Sequence, residues 1–285
     1  MVDQILAARG APGRPAARWW ILAFIAGAQL MVVLDTTIML IALPSAQHDL
    51  GFSVTGRQWV ITAYTITFGG LLLLGGRLSD MLGSKRAMTI GVAGFAAASV
   101  LGGAAPDLVV LAGARALQGI FAALLAPAVL AVLTTTFTGD AERGRAFGIW
   151  AAIATAGAAL GLILGGMLTQ YLGWRWCLFV NVPIAAVVAA GVAVTVPARA
   201  PATGARLDLP GTMLGCGGVA ALVYGLGQAA SAAWGSAEVV IPLVVAVIAL
   251  AAFVTVQARS ARPMLPLRIL ASRNRGGAYA SIALA

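Results

Sequence analysis

Eight apolar runs, each of about the length that a helix needs to cross a lipid bilayer, recur along this chain of 285 residues. About 20 residues at ~1.5 Å each span the hydrocarbon core. The runs lack the two-residue alternation of barrel strands, so we predict an all-α integral membrane protein. The runs lie at about Trp19–Leu43, Trp59–Gly75, Ala87–Ala105, Leu108–Leu133, Ala146–Leu168, Trp176–Val196, Leu209–Gln228 and Val239–Gln257, and a ninth begins near Gly276.

The composition excludes several classes of function. The chain is 61% hydrophobic and 9% charged, which is more apolar than a soluble core requires. The net charge is +9, but the basic residues are not interleaved with stacking aromatic residues, so we predict no nucleic-acid partner. No metal-ligand cluster, nucleophile and base set or phosphate-binding glycine loop can be assembled from the sequence. We therefore expect no cofactor, no metal and no enzyme activity.

The basic residues predict the orientation of the spans. Most of the 18 Lys and Arg residues fall at the N-terminus or in loops that lie on the same side of the membrane as the N-terminus. Only Arg57 and Arg175 fall in loops on the other side. Because basic residues concentrate in cytoplasmic loops, we predict a cytoplasmic N-terminus. The first run is longer than the core of a signal peptide and contains Asp35, so we expect it to be retained as a span.

Two opposite charges lie inside the predicted spans. Asp35 precedes Leu43 by eight residues and Arg115 follows Leu108 by seven residues, so both lie about 10–12 Å below the same membrane surface. A charge in hydrocarbon costs about 2.5–3.5 kcal/mol on insertion scales, so a chain that keeps one usually has a use or a partner for it. The pair is either a salt bridge that fixes helix packing or a proton or cation site that lines a cavity.

The turn between the second and third runs carries a recognisable spacing. Taken alone, it is a short basic loop at a cytoplasmic surface. It resembles the G-x-L-x-D-x-x-G-x-[KR]-[KR] signature of the major facilitator superfamily, with Met81 in place of the family's usual arginine. The resemblance implies that this turn is a gating loop. The matching positions are Gly76, Leu78, Asp80, Gly83, Lys85 and Arg86.

Three further stretches are similar to one branch of that family, the fourteen-span drug:proton antiporters. Leu34–Pro44 resembles the first-span motif L-D-x-T-I-V-N-V-A-L-P, and Arg115–Gly119 resembles the fourth-span motif R-x-x-Q-G. The fifth run resembles the antiporter motif G-x-x-x-G-P-x-x-G-G, although close helix packing alone would also explain glycines at four-residue spacing. Its matching positions are Gly157, Gly161, Gly165 and Gly166.

The resemblance covers nearly the whole chain and implies both an architecture and an activity. The architecture is a major facilitator-type bundle with a cytoplasmic tail at 1–18, six helices at 19–196, a loop and an extra hairpin at 197–257, and the start of a second bundle at 258–285. The implied activity is proton-coupled export of small amphipathic or cationic compounds across the cell membrane, of the multidrug efflux type. Asp35 and Arg115 would couple protons, and Thr37 and Gln118 would line the substrate cavity.

Two other interpretations remain open. One is a specific exporter of a single metabolite, which would differ only in the lining of the cavity. The other is a membrane protein that does not transport, in which Asp35 and Arg115 serve packing alone. Because the sequence stops shortly after the ninth run begins, we expect a fragment of a longer transporter or, as the alternative, a truncated product that forms a dimer.

Overall fold

The computed structural model describes residues 15–198, 208–229 and 232–259, and this part of the chain forms nine α-helices. With α6 and α7 counted as one span, eight stretches are long and apolar enough to cross a membrane. The prediction of an all-α membrane fold is confirmed, and the ninth run lies outside the described residues. The helices are α1 (Pro15–Leu50), α2 (Val54–Leu82), α3 (Ser84–Gly103), α4 (Leu108–Thr136), α5 (Asp140–Tyr171), α6 (Trp176–Phe179), α7 (Asn181–Thr195), α8 (Leu209–Gln228) and α9 (Ala237–Arg259).

Several helices extend beyond the apolar runs, and polar residues define where they begin. The side chain of Ser53 accepts a hydrogen bond from the backbone N–H of Gly56 at the start of α2. Asp107 and Asp208 cap α4 and α8 in the same way. Gly83 alone separates α2 from α3, with a φ of +83° that favours glycine. These local signals set the helix ends, whereas the hydropathy pattern sets only the membrane-embedded part.

The first seven helices form one bundle around an apolar core. Its inner part is built mainly from α1, α3, α4 and α7, which contribute the buried side chains of Ile25, Phe95, Leu125 and Val192. The helix α2 packs along α4, and α5 packs along α1. Because lipid tails are as apolar as these side chains, close packing rather than burial from water holds the helices together.

Glycines allow two of these contacts to be unusually close. A Cβ atom built at Gly119 of α4 would lie 2.0 Å from the Thr67 hydroxyl and 2.6 Å from the Tyr64 carbonyl oxygen, both on α2. A Cβ atom built at Gly161 of α5 would lie 1.8 Å from the Thr37 hydroxyl of α1. No larger residue fits at either position without moving a helix.

The helices α8 and α9 form an antiparallel hairpin that rests against α2. Gly215 brings α8 close to Phe253 of α9, and Gly70 brings α2 close to Ala220 of α8. At one end of the hairpin, the Gln257 side chain donates to the carboxylate of Asp208 over 2.9 Å. The hairpin thus packs on the outside of the first bundle, and α2 is its contact in that bundle.

Candidate functional site

Asp35 of α1 and Arg115 of α4 form an ion pair in the interior of the first bundle. Arg115 Nη1 donates to Asp35 Oδ2 over 2.5 Å, and the side chains of Arg115 and Asp35 are 3% and 0% exposed, respectively. Removing both charges from water is expensive, and their attraction offsets this cost only when further hydrogen bonds satisfy the remaining polar atoms. The surroundings of the pair therefore decide whether it is stable.

Three uncharged polar side chains near Asp35 are fully buried, and two of them, Gln118 and Asn181, contact its carboxylate. Gln118 Nε2 donates to Asp35 Oδ1 over 2.9 Å and to Ser99 Oγ over 2.8 Å, while its Oε1 accepts from Arg115 over 2.7 Å. Asn181 Nδ2 also donates to Asp35 Oδ1, over 2.7 Å. The carboxylate thus accepts three hydrogen bonds. We call Asp35, Ser99, Arg115, Gln118 and Asn181 the buried polar cluster.

Tyr64 of α2 covers the other face of the arginine. The guanidinium carbon of Arg115 lies 4.4 Å from the centre of the Tyr64 ring, which is a cation–π contact. This contact depends on Gly119, because the missing Cβ lets α2 approach α4 one turn beyond Arg115. Three buried polar atoms around the cluster have no hydrogen-bond partner, namely Tyr64 Oη, Arg115 Nε and Asn181 Oδ1.

The structure brings three of the four residues predicted for proton coupling and the substrate cavity into contact. Asp35, Arg115 and Gln118 belong to the buried polar cluster, whereas Thr37 lies apart from it. The Thr37 hydroxyl donates to the carbonyl oxygens of Val33 and Leu34 on its own helix and faces Gly161 of α5. Thr37 therefore lies at the contact between α1 and α5.

Sequence reasoning missed three members of this site. Asn181 carried a signal, because an amide inside an otherwise apolar run needs a partner. Ser99 and Tyr64 carried none, since serine and tyrosine are common in such helices and hydropathy does not show which side of a helix faces the carboxylate. The site draws on five spans, because α1, α2, α3, α4 and the start of α7 each contribute a residue.

The four glycines of the predicted antiporter motif fall into two groups. Gly157, Gly161 and Gly165 lie against α1, where built Cβ atoms would come within 2.8 Å of Leu30, 1.8 Å of Thr37 and 3.1 Å of Ile38. Gly166 has nothing within 4 Å of its built Cβ atom. The first three hold α5 against the part of α1 that carries Asp35.

The predicted gating loop joins α2 to α3 and reaches the sixth span. Lys85 Nζ donates to the carbonyl oxygen of Ala193, in the last turn of α7, over 2.7 Å. Gly83 forms the turn, and Asp80 and Arg86 are exposed on either side of it. A built Cβ atom at Gly76 would lie 3.8 Å from Pro127 of α4. The loop thus ties the ends of α3 and α7 together.

An apolar cavity of about 340 Å³ opens between α1, α2, α4 and α5. Gln29, Phe68 and Trp150 are its polar and aromatic lining residues, and the buried Trp150 Nε1 has no hydrogen-bond partner. Val32, three residues before Asp35 on α1, also lines it. A largely apolar wall with a few polar groups is typical of a small-molecule site. In the described ranges, no three His, Cys, Asp or Glu side chains group to hold a metal ion.

Two proteins of known role are similar to this chain over most of its length. The puromycin resistance protein of Streptomyces alboniger is 54% identical over 267 residues, which cover 94% of this chain and 53% of that protein. The cephamycin export protein of Amycolatopsis lactamdurans is 44% identical over 250 residues, which cover 85% of this chain and 50% of that protein. The chain thus spans about half the length of the curated relatives it matches.

A solved structure and a family model are also similar to this chain. The crystal structure of a human organic anion transporter superposes with a TM-score of 0.55 over 76% of this chain and 57% of that chain. At 16% identity, this likeness concerns the fold alone. The model of the Major Facilitator Superfamily matches residues 25–284. With its family model, its relatives and its fold in agreement, this chain belongs to the major facilitator superfamily.

Proposed function

We propose that the protein exports small amphipathic or cationic compounds across the cell membrane in exchange for protons, as part of a multidrug-type transporter. The observation that carries this proposal is the buried carboxylate of Asp35. A membrane protein seldom keeps an ionisable pair inside its spans unless it serves a substrate, ion or proton pathway. Two relatives named for antibiotic resistance and antibiotic export support the direction and the class of substrate.

In this proposal, Asp35 is the group that carries the proton. It takes up a proton when the transporter is open to one side and releases it when the transporter is open to the other side. Arg115 holds the ionised form of Asp35 between these events and remains charged throughout, since a guanidinium does not lose its proton in proteins. Gln118 links the two charges through one hydrogen bond to each.

The apolar cavity beside α5 supplies the substrate surface in this proposal. Phe68 and Trp150 offer aromatic faces to a flat or cationic compound, and Gln29 offers a polar contact. Gln118, predicted as a cavity residue, would act through Asp35. Thr37, the second predicted cavity residue, would become accessible only if α5 moved away from α1.

The remaining architecture is proposed on the same basis. The N-terminus is cytoplasmic, the six spans to residue 196 form the first bundle, α8 and α9 are the extra hairpin, and residues 258–285 lead into a second bundle. Substrate would pass between the two bundles, which rock to expose one side and then the other. The gating loop of Gly76, Asp80, Gly83, Lys85 and Arg86 would control the cytoplasmic side. A dimer is the arrangement to test if the chain acts at this length.

The proposal is tested by Asp35→Asn in the full-length protein as its cell makes it. We expect this variant to reach the membrane at the wild-type level and to lose efflux of a cationic dye that is driven by a proton gradient. Asp140→Asn, at the exposed start of α5, is the matched control and should keep full efflux. Full efflux by Asp35→Asn would refute the proton-carrying role and favour a packing role for the pair.

A narrower candidate function is the export of one antibiotic-like compound. The names of two relatives favour it, because each names a single antibiotic or antibiotic class. A panel of chemically unrelated compounds separates the two candidates. Protection against one compound alone would support the narrower function, and protection against several would support the multidrug function.

A further inference from the structure

The three donors around Asp35 differ in whether they can change roles. Arg115 has only N–H donors. Gln118 is fixed in one orientation, because its Oε1 accepts from Arg115, and a reversed amide would set two donors against each other. Asn181 is different, since its Nδ2 donates to Asp35 and, over 3.3 Å, to Ser99 Oγ, while its Oδ1 is buried without a partner. A turnover of this amide therefore breaks no bond at Oδ1 and changes only the bonds of Nδ2.

A proton on Asp35 would require such a change. When a hydronium ion transfers a proton to Asp35 Oδ1, one of its O–H bonds breaks and leaves water, and a new O–H bond forms on the carboxylate. The carboxylate loses its negative charge, and the oxygen becomes a donor. That donor would face the N–H groups of Asn181 and Gln118, and two donors without an acceptor are unfavourable in a buried site. A half-turn of the Asn181 amide presents Oδ1 as the acceptor. The same movement gives the unpartnered Oδ1 atom a hydrogen bond, and it gives up the longer bond of Nδ2 to Ser99 Oγ.

We propose that the side-chain amide of Asn181 turns over when Asp35 takes up a proton, and that Asn181 is thereby a positioning residue of the proton-coupling step. This inference rests on the proposed function, because it assumes that Asp35 is protonated during transport. An ionised carboxylate requires the orientation of the Asn181 amide that the structure shows, with Nδ2 towards Asp35. The protonated form fixes the reverse orientation.

The position of Asn181 gives the turnover a mechanical consequence. Asn181 begins α7, and Val180 alone separates it from the end of α6, so it lies at the break in the sixth span. Pro183 explains this break, because it lacks the N–H that would bond to the carbonyl oxygen of Phe179 in a continuous helix. Asn181 therefore responds to the protonation state of Asp35 at a point where the backbone hydrogen bonds of the sixth span are already interrupted.

The other ionisable groups near Asp35 are few in the described part of the chain. Arg115 from α4 contacts it directly, and Tyr64 from α2 and Cys177 from α6 lie close enough to interact with its charge. On α3, the uncharged Ser99 is the member of the cluster, and α5 meets this part of α1 through Gly161. Tyrosine and cysteine ordinarily stay neutral at physiological pH, so the proton exchange falls to Asp35.

Infrared difference spectroscopy tests the inference on the full-length protein reconstituted in lipid vesicles. Spectra recorded before and after acidification should show a carboxylic acid band that is lost in Asp35→Asn. A side-chain amide band that is lost in Asn181→Ser, and that shifts with isotope-labelled asparagine, should appear over the same pH range. The Asp35 band without an asparagine band would overturn the inference alone. The absence of the Asp35 band would overturn the proposed function, and the inference with it.

Transport measurements provide a second readout. Asn181→Leu removes both donor and acceptor, so proton-driven efflux should fall about tenfold, in keeping with one unmatched buried hydrogen bond. Asn181→Ser keeps a hydroxyl that can donate or accept, and it should restore most of this loss. A leucine variant as active as the serine variant would contradict a change of roles at this position. Equal and complete loss in both variants would contradict it as well.

Discussion

Two pairs of aspartate and arginine on the same side of the first bundle share a helix but differ in burial. Asp35 pairs with Arg115 in the interior, where the side chains are 0% and 3% exposed. Asp49, at the end of the same helix, pairs with Arg175, and those side chains are 48% and 40% exposed. The same type of ion pair thus occurs once in a buried site and once at a site exposed to water.

The outer pair has the features of a structural junction. Trp174 Nε1 donates to Asp49 over 2.9 Å, and the guanidinium of Arg175 stacks on the Trp174 ring at 4.5 Å. Arg175 also donates to the carbonyl oxygen of Ala105, which ties the loop before α6 to the end of α3. Water can replace these hydrogen bonds, so the outer pair orients the loop before α6 but adds little to stability. Water does not reach the inner pair, and removing one of its partners leaves the other charge buried and unpaired.

The largest expected effect separates the two pairs directly. Arg115→Met leaves the carboxylate of Asp35 buried without its cation, and we expect the free energy of unfolding to fall by about 3–5 kcal/mol. Arg175→Met is the matched control at the outer pair. Its effect should be much smaller, because Asp49 remains hydrated. Thermal unfolding of both variants in the same detergent measures the difference, and equal losses would refute the contrast between the pairs.

A smaller effect tests the close approach that frames the inner site. Gly119→Ala places a methyl group within 3 Å of both Thr67 and Tyr64, so α2 must move away from Arg115. We expect this overpacking to cost about 1–3 kcal/mol of stability. Gly166→Ala is the control, since nothing lies within 4 Å of its Cβ position. Similar unfolding temperatures for the two variants would show that the contact tolerates a side chain.

The smallest expected effect concerns the cavity rather than the charges. Trp150→Leu removes an aromatic face from the cavity wall, so binding of a cationic compound should weaken about fivefold to tenfold. Trp234→Leu, at an exposed tryptophan outside the bundle, should change nothing. The concentration dependence of efflux gives both values. An unchanged half-saturating concentration in Trp150→Leu would remove this wall from the proposed substrate surface.

Much of the fold follows from the sequence, because hydropathy and caps are local properties. The apolar runs predicted each described span, and the matching depths of Asp35 and Arg115 anticipated an encounter that the structure brings about. Their neighbours could not be predicted in the same way. Contact with Asn181 depends on the rotation of α7 about its axis, and contact with Tyr64 depends on the close approach at Gly119. A hydropathy pattern gives neither the rotation of a helix about its axis nor the separation between two helices.

Thr37 lies close to Asp35 in the sequence but on a different face of α1. It follows Asp35 by two residues, and two residues turn a helix by about 200°, so the two side chains point to opposite faces. One meets the buried polar cluster and the other meets Gly161 of α5. Proximity in sequence therefore does not place the two side chains on the same face of the helix.

The most direct test of the proton-carrying role of Asp35 is the release of protons on substrate binding. The purified full-length protein, in unbuffered detergent solution, would be mixed with tetraphenylphosphonium while a pH electrode records the change. We predict that the wild-type protein acidifies the solution as the cation binds and that Asp35→Asn binds the cation without acidification. Equal proton release by the variant would contradict the role assigned to Asp35.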